Sequence, residues 1–495
     1  MALTAASPKT TAELACPTDT REYIELLERA GELRRVRAEV DWKFEAGAMS
    51  RLVCERRGPA PLFENVKGYP GQQLAAVLMG PTNPLHGRVS LALGLDKTTP
   101  IPDLLKIIQQ RMKQLQKTVH VQKNAAPCKE IILHGKDANL LQFPIPWIKE
   151  IDGGRYLGTW CLVVTKDPDA GWVNMATYRC MVSDDQHFTV LLSPTRQHGG
   201  AMLKKYEERG KPMPIALVIG ADPQCHIAAM TPIDHGVCEA EIAGALRGSA
   251  ISMVACETID LEVPANAEMV IEAEILPGAR GDEGPFGEYT GHSAHRGKLP
   301  QARVKCITHR KNPIHTFANM GKPYDDYATC AYLMTAAAAK NRLEAHGVDA
   351  VKSIFYYVPG TAVVAIKPGP GVKRQIISAL LSGPRMLAVG IVFVDEDVDV
   401  TDVEDIWWAI SSRMNGENYE VVRNVAANAL FPWLTPAQRQ SKEQSVWVMD
   451  ATFPYEWPAE YRAQHTIISD FKNGWTDSMK QTVLSRWKEY GYDDI

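Results

Sequence analysis

At 495 residues the chain is long enough for about three domains. A hydrophobic fraction of 45% supports a large core, and 23% charged residues is ordinary for a water-soluble protein. The net charge of −4, with neither half strongly basic, argues against nucleic acid or an anionic membrane as the main partner.

The ten cysteines are scattered, with no C-x-x-C pair, which argues against a zinc site or a disulfide framework and suits reduced thiols in a cytoplasm. The N-terminal twenty residues lack the apolar run of a secretory signal. No stretch of about 18 apolar residues is present to span a bilayer.

In chain order, Thr20 is positioned to cap a helix through TREYIELLERAG, with Tyr23, Leu26, Leu27 and Ala30 at helical spacing and Gly31 at its end. A strand (LRRVRAEV), a helix over about 46–57 and two short strands (APLFENV, QQLAAVLMG) follow, and a helix over about 102–116 closes this opening α/β unit. From about Lys129 the pattern turns to short strands separated by turn residues: GTWCLVVTK, WVNMATYRCMV, HFTVLLS and MPIALVIG. They continue through MVIEAEILPG and ARVKCITHRKNPIHTFAN, with a helix near 239–247, and together they predict an antiparallel barrel or curved sheet. An Ala-rich helix (TAAAAKNRLEAHG) then leads to a second α/β unit, with strands SIFYYV, TAVVAIK and AVGIVFVDEDVDV alternating with helices RQIISALLS and VEDIWWAISSRM. The tail reads as an amphipathic helix with Met479, Val483, Leu484 and Trp487 on one side.

The segment richest in chemistry is Gly281-Asp-Glu-Gly-Pro-Phe-Gly-Glu-Tyr-Thr-Gly291, where Glu283 and Glu288 flank a turn too irregular for a helix. Glycines allow close backbone approach to a ligand, while Pro and Phe exclude water and so raise a carboxyl pKa towards the range of a useful proton donor. The plainer alternative is a solvated turn carrying two surface acids. Asn174, His198 and Glu239 offer an amide oxygen, an imidazole and a carboxylate, a donor set suited to Mn2+ or Mg2+. Among 13 histidines and 58 acids such a triple also arises by chance. Arg179 is suited to binding a substrate carboxylate, or to an ordinary surface ion pair. Strand alternation puts it on the opposite face from Asn174 unless a bulge or turn intervenes. KPGPGVK is no phosphate loop, and DEDVDV lacks the glycine and terminal glutamate of a calcium loop.

Taken in order, ERRGPAPLFENVKGYPG, FPIPWI, DGGRYLGTW, NMATYR, SPTRQH, EAEIAGALRG, EGPFGEYTG and VDEDVDV resemble UbiD-like decarboxylases, the family that includes ferulic acid decarboxylase, over nearly the full length. The resemblance implies an α+β multidomain architecture. It comprises an N-terminal α/β domain (20–125), a central split β-barrel flavin-binding domain (126–322), a linker helix (323–345), a C-terminal α/β oligomerisation domain (346–470) and a C-terminal, intersubunit helix (471–495). It implies reversible decarboxylation of an aromatic, heteroaromatic or α,β-unsaturated acid with prenylated FMN supplied by a separate flavin prenyltransferase, in a homodimer or homohexamer.

By resemblance, Asn174, His198 and Glu239 hold Mn2+ (or Mg2+) at the cofactor phosphate, and Thr159 contributes to a K+ site built largely of main-chain carbonyls. Gln197 stands at the flavin and substrate pocket. Arg179 orients the carboxylate, Glu283 holds Arg179, and Glu288 donates the proton. The sequence departs from the family pattern at Met175 and Ala176, where a tryptophan-serine pair is common, and at Tyr289, where ferulic acid decarboxylase has methionine. It also lacks a phosphate-binding lysine near 382–385, leaving the phosphate to the metals or to Arg385. Tyr289 and the divergent NVAANALFPWL region favour an aromatic or heteroaromatic acid over a cinnamic one. The competing expectations are an ordinary FMN-dependent oxidoreductase and a non-catalytic flavin- or metal-binding oligomer.

Overall fold

The opening helix runs Thr20–Arg29 and carries its apolar side into the first core through Tyr23, Ile24 and Leu27. Its cap is Asp19, whose carboxylate accepts from Glu22 N at 2.8 Å. Thr20, expected in that role, is buried and donates its hydroxyl to Ala221 O at 2.9 Å. Gly31 follows at φ +74°, the left-handed residue that ends the helix. The structure, a computed structural model, describes residues 15–194, 197–357, 359–382, 388–428 and 430–492; Arg385 lies outside them.

Leu33–Val36, Ala60–Phe63 and Gln73–Ala76 form the first sheet, as their spacing predicts. Its fourth strand is Ile314–Phe317, parallel to Gln73–Ala76. The sequence pattern places these residues in the barrel. The chain instead turns at Asn312, where φ is +50°, and inserts a strand buried on both faces, as a parallel strand in a covered sheet requires.

The central sheet is ordered Tyr156–Gly158, Cys180–Val182, His187–Val190, Gly297–His309, Met269–Glu283, Met213–Ile219, Cys161–Lys166, Val173–Ala176, with Ile131–His134 also on Gly297–His309. Two connections force it to curl. Gly158 to Cys161 spans three residue steps, at most about 11 Å, and Ala176 to Cys180 spans four, at most about 14 Å. In a flat sheet each pair of strands would be six spacings apart, about 29 Å. The sheet therefore bends into a half-barrel around apolar side chains such as Val163, Leu217, Ile271 and Phe188, and residues 177–179 bridge its seam. WVNMATYRCMV, which reads as one strand, is thus two, Val173–Ala176 and Cys180–Val182, broken at the seam.

Asp326–Ala345 is a helix packed between units, capped by Asp325, whose carboxylate accepts from Ala328 N at 2.9 Å. Its alanines at 328, 331, 336, 337 and 339 are buried, so small side chains let neighbours approach from several sides. The last sheet is ordered Val351–Tyr357, Thr361–Ile366, Gly390–Asp395, Glu443–Ala451, Tyr419–Ala426. The final two strands have no counterpart among the elements the sequence predicts. The tail helix, Asp477–Ser485, has no buried residue, and Met479 and Leu484 are 49% and 53% exposed. Among the described residues no helix is long and apolar enough to cross a membrane.

Gly390 pairs directly with Trp447, and a Cβ on it would lie 2.0 Å from the indole. Gly390→Ala is expected to destabilise the last sheet by about 1–3 kcal/mol through overpacking. Thermal denaturation will show this as a lower melting temperature for that unit; an unchanged melting profile would mean the ring relocates at no cost.

Candidate active site

Arg179 lies on the seam and is buried, not a surface ion pair. Its Nε and Nη2 donate to the two oxygens of Glu283, each at 2.8 Å, and its Nη1 donates to Glu288. Glu283 ends the long strand Met269–Glu283, and Glu288 follows the short strand Phe286–Gly287, so the Gly-Pro-Phe turn between them folds both carboxylates onto one guanidinium. Both acids are buried, which rules out the solvated-turn alternative.

The turn is held by a second glycine turn. Gly153 N donates to Pro285 O at 2.7 Å, and a Cβ on Gly153 would lie 2.0 Å from Gly284 O. From the same segment Asp152 accepts from Gly287 N at 2.9 Å, and the Tyr156 hydroxyl donates to Glu283 at 2.8 Å. Sequence reasoning misses Asp152 and Tyr156. They stand in DGGRYLGTW, but 127 residues separate Tyr156 from Glu283, and spacing alone does not join them.

Burial raises the proton affinity of Glu288, against the opposing pull of Arg179. Burial alone would lower that of Arg179, but Glu288 and Glu283 more than offset it and keep the guanidinium charged. The network therefore combines a fixed cation, a carboxylate bound to it in bidentate fashion, and an acid poised to gain or lose a proton.

The network opens on a cavity of about 290 Å³. Arg179, Phe286 and Glu288 form one wall, Tyr327 and Tyr332 of the Asp326–Ala345 helix another, and Tyr356 and Asn428 close it from the C-terminal unit. Asn428 Nδ2 donates to the Tyr289 hydroxyl at 2.6 Å, tying the residue after Glu288 to that unit. Gln197 also lines the cavity, and its side-chain oxygen accepts from Ser193 N at 2.6 Å.

Asn174 and Glu239, far apart in sequence, meet in the buried interior. Asn174 Nδ2 donates to Glu239 Oε1 at 2.5 Å, and Met175 N to Oε2 at 2.8 Å. The Tyr178 hydroxyl donates to Asn174 Oδ1 at 2.9 Å and accepts from Gly199 N at 3.4 Å, which links the pair to the first turn of the His198–Glu208 helix. The His198 ring lies edge-on to Trp172 with centroids 4.7 Å apart. Among the described residues no group of three His, Cys, Asp or Glu side chains has metal-holding geometry. Asn174 falls outside such a group by residue type, and the amide, imidazole and carboxylate donors together suit a hard or borderline divalent ion. Thr159 is buried, does not line the cavity, and its hydroxyl accepts from Ala318 N at 3.0 Å. Asp395 and Asp397 of the DEDVDV run pair with Arg413 at the end of a strand.

Comparison with known proteins decides the family. Residues 24–108, 119–323 and 328–451 match the N-terminal, Rift-related and C-terminal domains of 3-octaprenyl-4-hydroxybenzoate carboxy-lyase. A phenolic acid decarboxylase of Sedimentibacter hydroxybenzoicus is 32% identical over 94% of this chain and 98% of its own. The chain belongs to the UbiD family of carboxy-lyases. Its structure is similar to the closed form of vanillic acid decarboxylase from Sedimentibacter hydroxybenzoicus, with TM-score 0.86, 29% identity and coverage of 96% of this chain and 99% of that one. It is also similar to an evolved dimeric form of the UbiD-class enzyme HmfF from Pelotomaculum thermopropionicum in complex with prFMN. There the TM-score is 0.75 and the identity 28%, over 89% of this chain and 96% of that one.

An unfolded glutamate titrates near 4.5, and burial holds Glu288 above that in the fold. Its contribution to stability is full below about 4.5 and declines as pH rises through the folded value, because the native state then loses a proton it held more tightly. The melting temperature of the wild type relative to Glu288→Gln is expected to fall as pH is raised from about 4.5 towards neutral. Scanning fluorimetry across pH checks this; a pH-independent difference would contradict it.

Proposed function

We propose that this UbiD-family enzyme removes CO2 from an aromatic or heteroaromatic carboxylic acid, with Arg179 orienting the carboxylate and Glu288 delivering the proton. The observation that carries this reading is the buried Arg179–Glu283–Glu288 network at the wall of an aromatic-lined cavity. The relative named for phenolic acids and the neighbour named for vanillic acid support an aromatic substrate.

Arg179 draws the carboxylate to the network, and Glu283, by holding two of its donors, fixes the plane of the guanidinium. Phe286 and the tyrosines exclude water from the reacting carbon. Prenylated FMN, when bound, supplies the sink for the electron pair left by the breaking C–CO2 bond. Glu288 then gives its proton to that carbon, and reprotonation from solvent resets it. The same path read backwards is carboxylation at high CO2. Asn174, His198 and Glu239 would hold Mn2+ or Mg2+ for the cofactor phosphate. K+ would take Thr159, whose hydroxyl keeps a lone pair after accepting Ala318 N, with main-chain carbonyls completing its shell.

Production together with a flavin prenyltransferase, followed by CO2 release from a panel of aromatic, heteroaromatic and acrylic acids, tests the reading. Activity is expected only with the prenylated cofactor, and Glu288→Gln is expected to lose at least about 100-fold in kcat while keeping the bound flavin's absorption. Full activity with unmodified FMN, or in the variant, would refute it.

The proposed assembly is a homodimer or homohexamer formed through the C-terminal unit and tail. Ile467, Trp407 and Trp475 are 72%, 66% and 53% exposed there, large apolar side chains that a second copy would cover. Removing residues 477–495 is expected to shift the light-scattering mass towards monomer with the fold retained; an unchanged oligomer would assign assembly elsewhere.

A further inference from the structure

Lys149 lies two residues after Trp147 in the segment that grips the Glu288 turn, and no part of the mechanism above uses it. Its residue is partly exposed, but its ammonium is buried and, among the described residues, has no hydrogen-bond partner. Lysines that are buried for structural reasons sit in direct ion pairs, because an unpaired buried ammonium is costly. The position of this one is specific. Its side chain lies flush against Gly287, where a Cβ would be 2.9 Å from both Lys149 Cε and Nζ. Its Nζ is 5.3 Å from the centre of the Phe286 ring, and Arg179 Cζ is 5.2 Å from the same ring. The segment holds Gly287 from a second direction as well: Asp152 accepts from Gly287 N at 2.9 Å and from Lys149 N at 3.1 Å.

Lys149 faces Asp152, Asp325, Glu288 and Arg51, and Glu288 faces Arg179 and Glu283 in addition. Arg179 and Glu283 cancel and Lys149 offsets Asp152, while Arg51, which also stands near Asp325, pairs directly with Glu55 at 3.1 Å. Ionising Glu288 adds a negative charge to this group, and loss of Lys149 would leave the group one charge more negative. Burial is the largest influence on Lys149 and lowers its proton affinity, with Asp152 opposing.

We infer that Lys149 is a positioning residue for the acid of this site: its stem fixes the Gly287–Glu288 backbone, and its ammonium joins Arg179 in favouring the ionised form of Glu288. The inference rests on the reading of Glu288 as proton donor, so its test includes a titration that needs no turnover. In the wild-type holoenzyme, the carboxylic C=O infrared band that disappears in Glu288→Gln reports the protonation of Glu288. Lys149→Met, which keeps a linear apolar stem, is expected to move the midpoint of that band upward by about one pH unit. The pH limb of kcat is expected to move with it while KM is held, and Lys149→Arg is expected to restore both. Lys149→Gln replaces the methionine variant if the latter does not fold, as judged by thermal melting. An unmoved midpoint in a folded, uncharged variant overturns the inference. If instead Glu288→Gln turns over normally, the donor role of Glu288 fails, while the infrared midpoint still decides what Lys149 does.

Discussion

The site depends on one guanidinium shared by two buried carboxylates. Removing three charges from water costs several kcal/mol per ion unless geometry and hydrogen bonds compensate. Here Glu283 takes two of the Arg179 donors and a hydroxyl from Tyr156, and Glu288 takes the third donor. One carboxylate is fully committed and the other is not. This asymmetry leaves Glu288 with its affinity for a proton raised by burial, while the positive charge of Arg179 stays in place. Removing either carboxylate would leave the guanidinium underpaired in a dry cavity, so the three groups act as one unit.

The half-barrel makes that unit possible. Arg179 belongs to a three-residue bridge between strands that a flat sheet would hold far apart, and Glu283 ends the longest strand of the same sheet. Curling brings the seam to the end of that strand. The Gly-Pro-Phe turn then returns the chain far enough for Glu288 to reach the same guanidinium. The close contact of Gly153 with Gly284 leaves no room for a side chain, so the acid turn and the turn that braces it are fixed against each other by backbone.

The cavity wall comes from a different part of the chain. The Ala-rich helix carries Tyr327 and Tyr332 inward, and the C-terminal unit supplies Tyr356 and Asn428. Asn428 bonds to the residue next to Glu288, so the position of the C-terminal unit bears on the acid itself. The charged network thus resides in the half-barrel, while the cavity beside it is shared with a unit whose strands carry none of its charged groups.

Sequence alone determined the parts whose signals are local. Short apolar runs bounded by turn residues marked most strands of the central sheet, period 3.6 marked the main helices, and the helix over 239–247 appears at the residues where it was expected. The ordered motifs pointed to the family and to Arg179, Glu283 and Glu288. Tertiary structure decided what local signals do not encode. The break at Thr177–Arg179 follows from sheet closure, a constraint set by strands as distant in sequence as Gly297–His309, and it removes the apparent conflict between Asn174 and Arg179 on one strand. The strand Ile314–Phe317 reads as part of the barrel because its apolar run has no address; only the turn at Asn312 sends it to another sheet. Tyr156, Asp152 and Lys149 carry no motif that names their partners. Their contacts come from burial and proximity, which arise when distant turns pack and water is excluded.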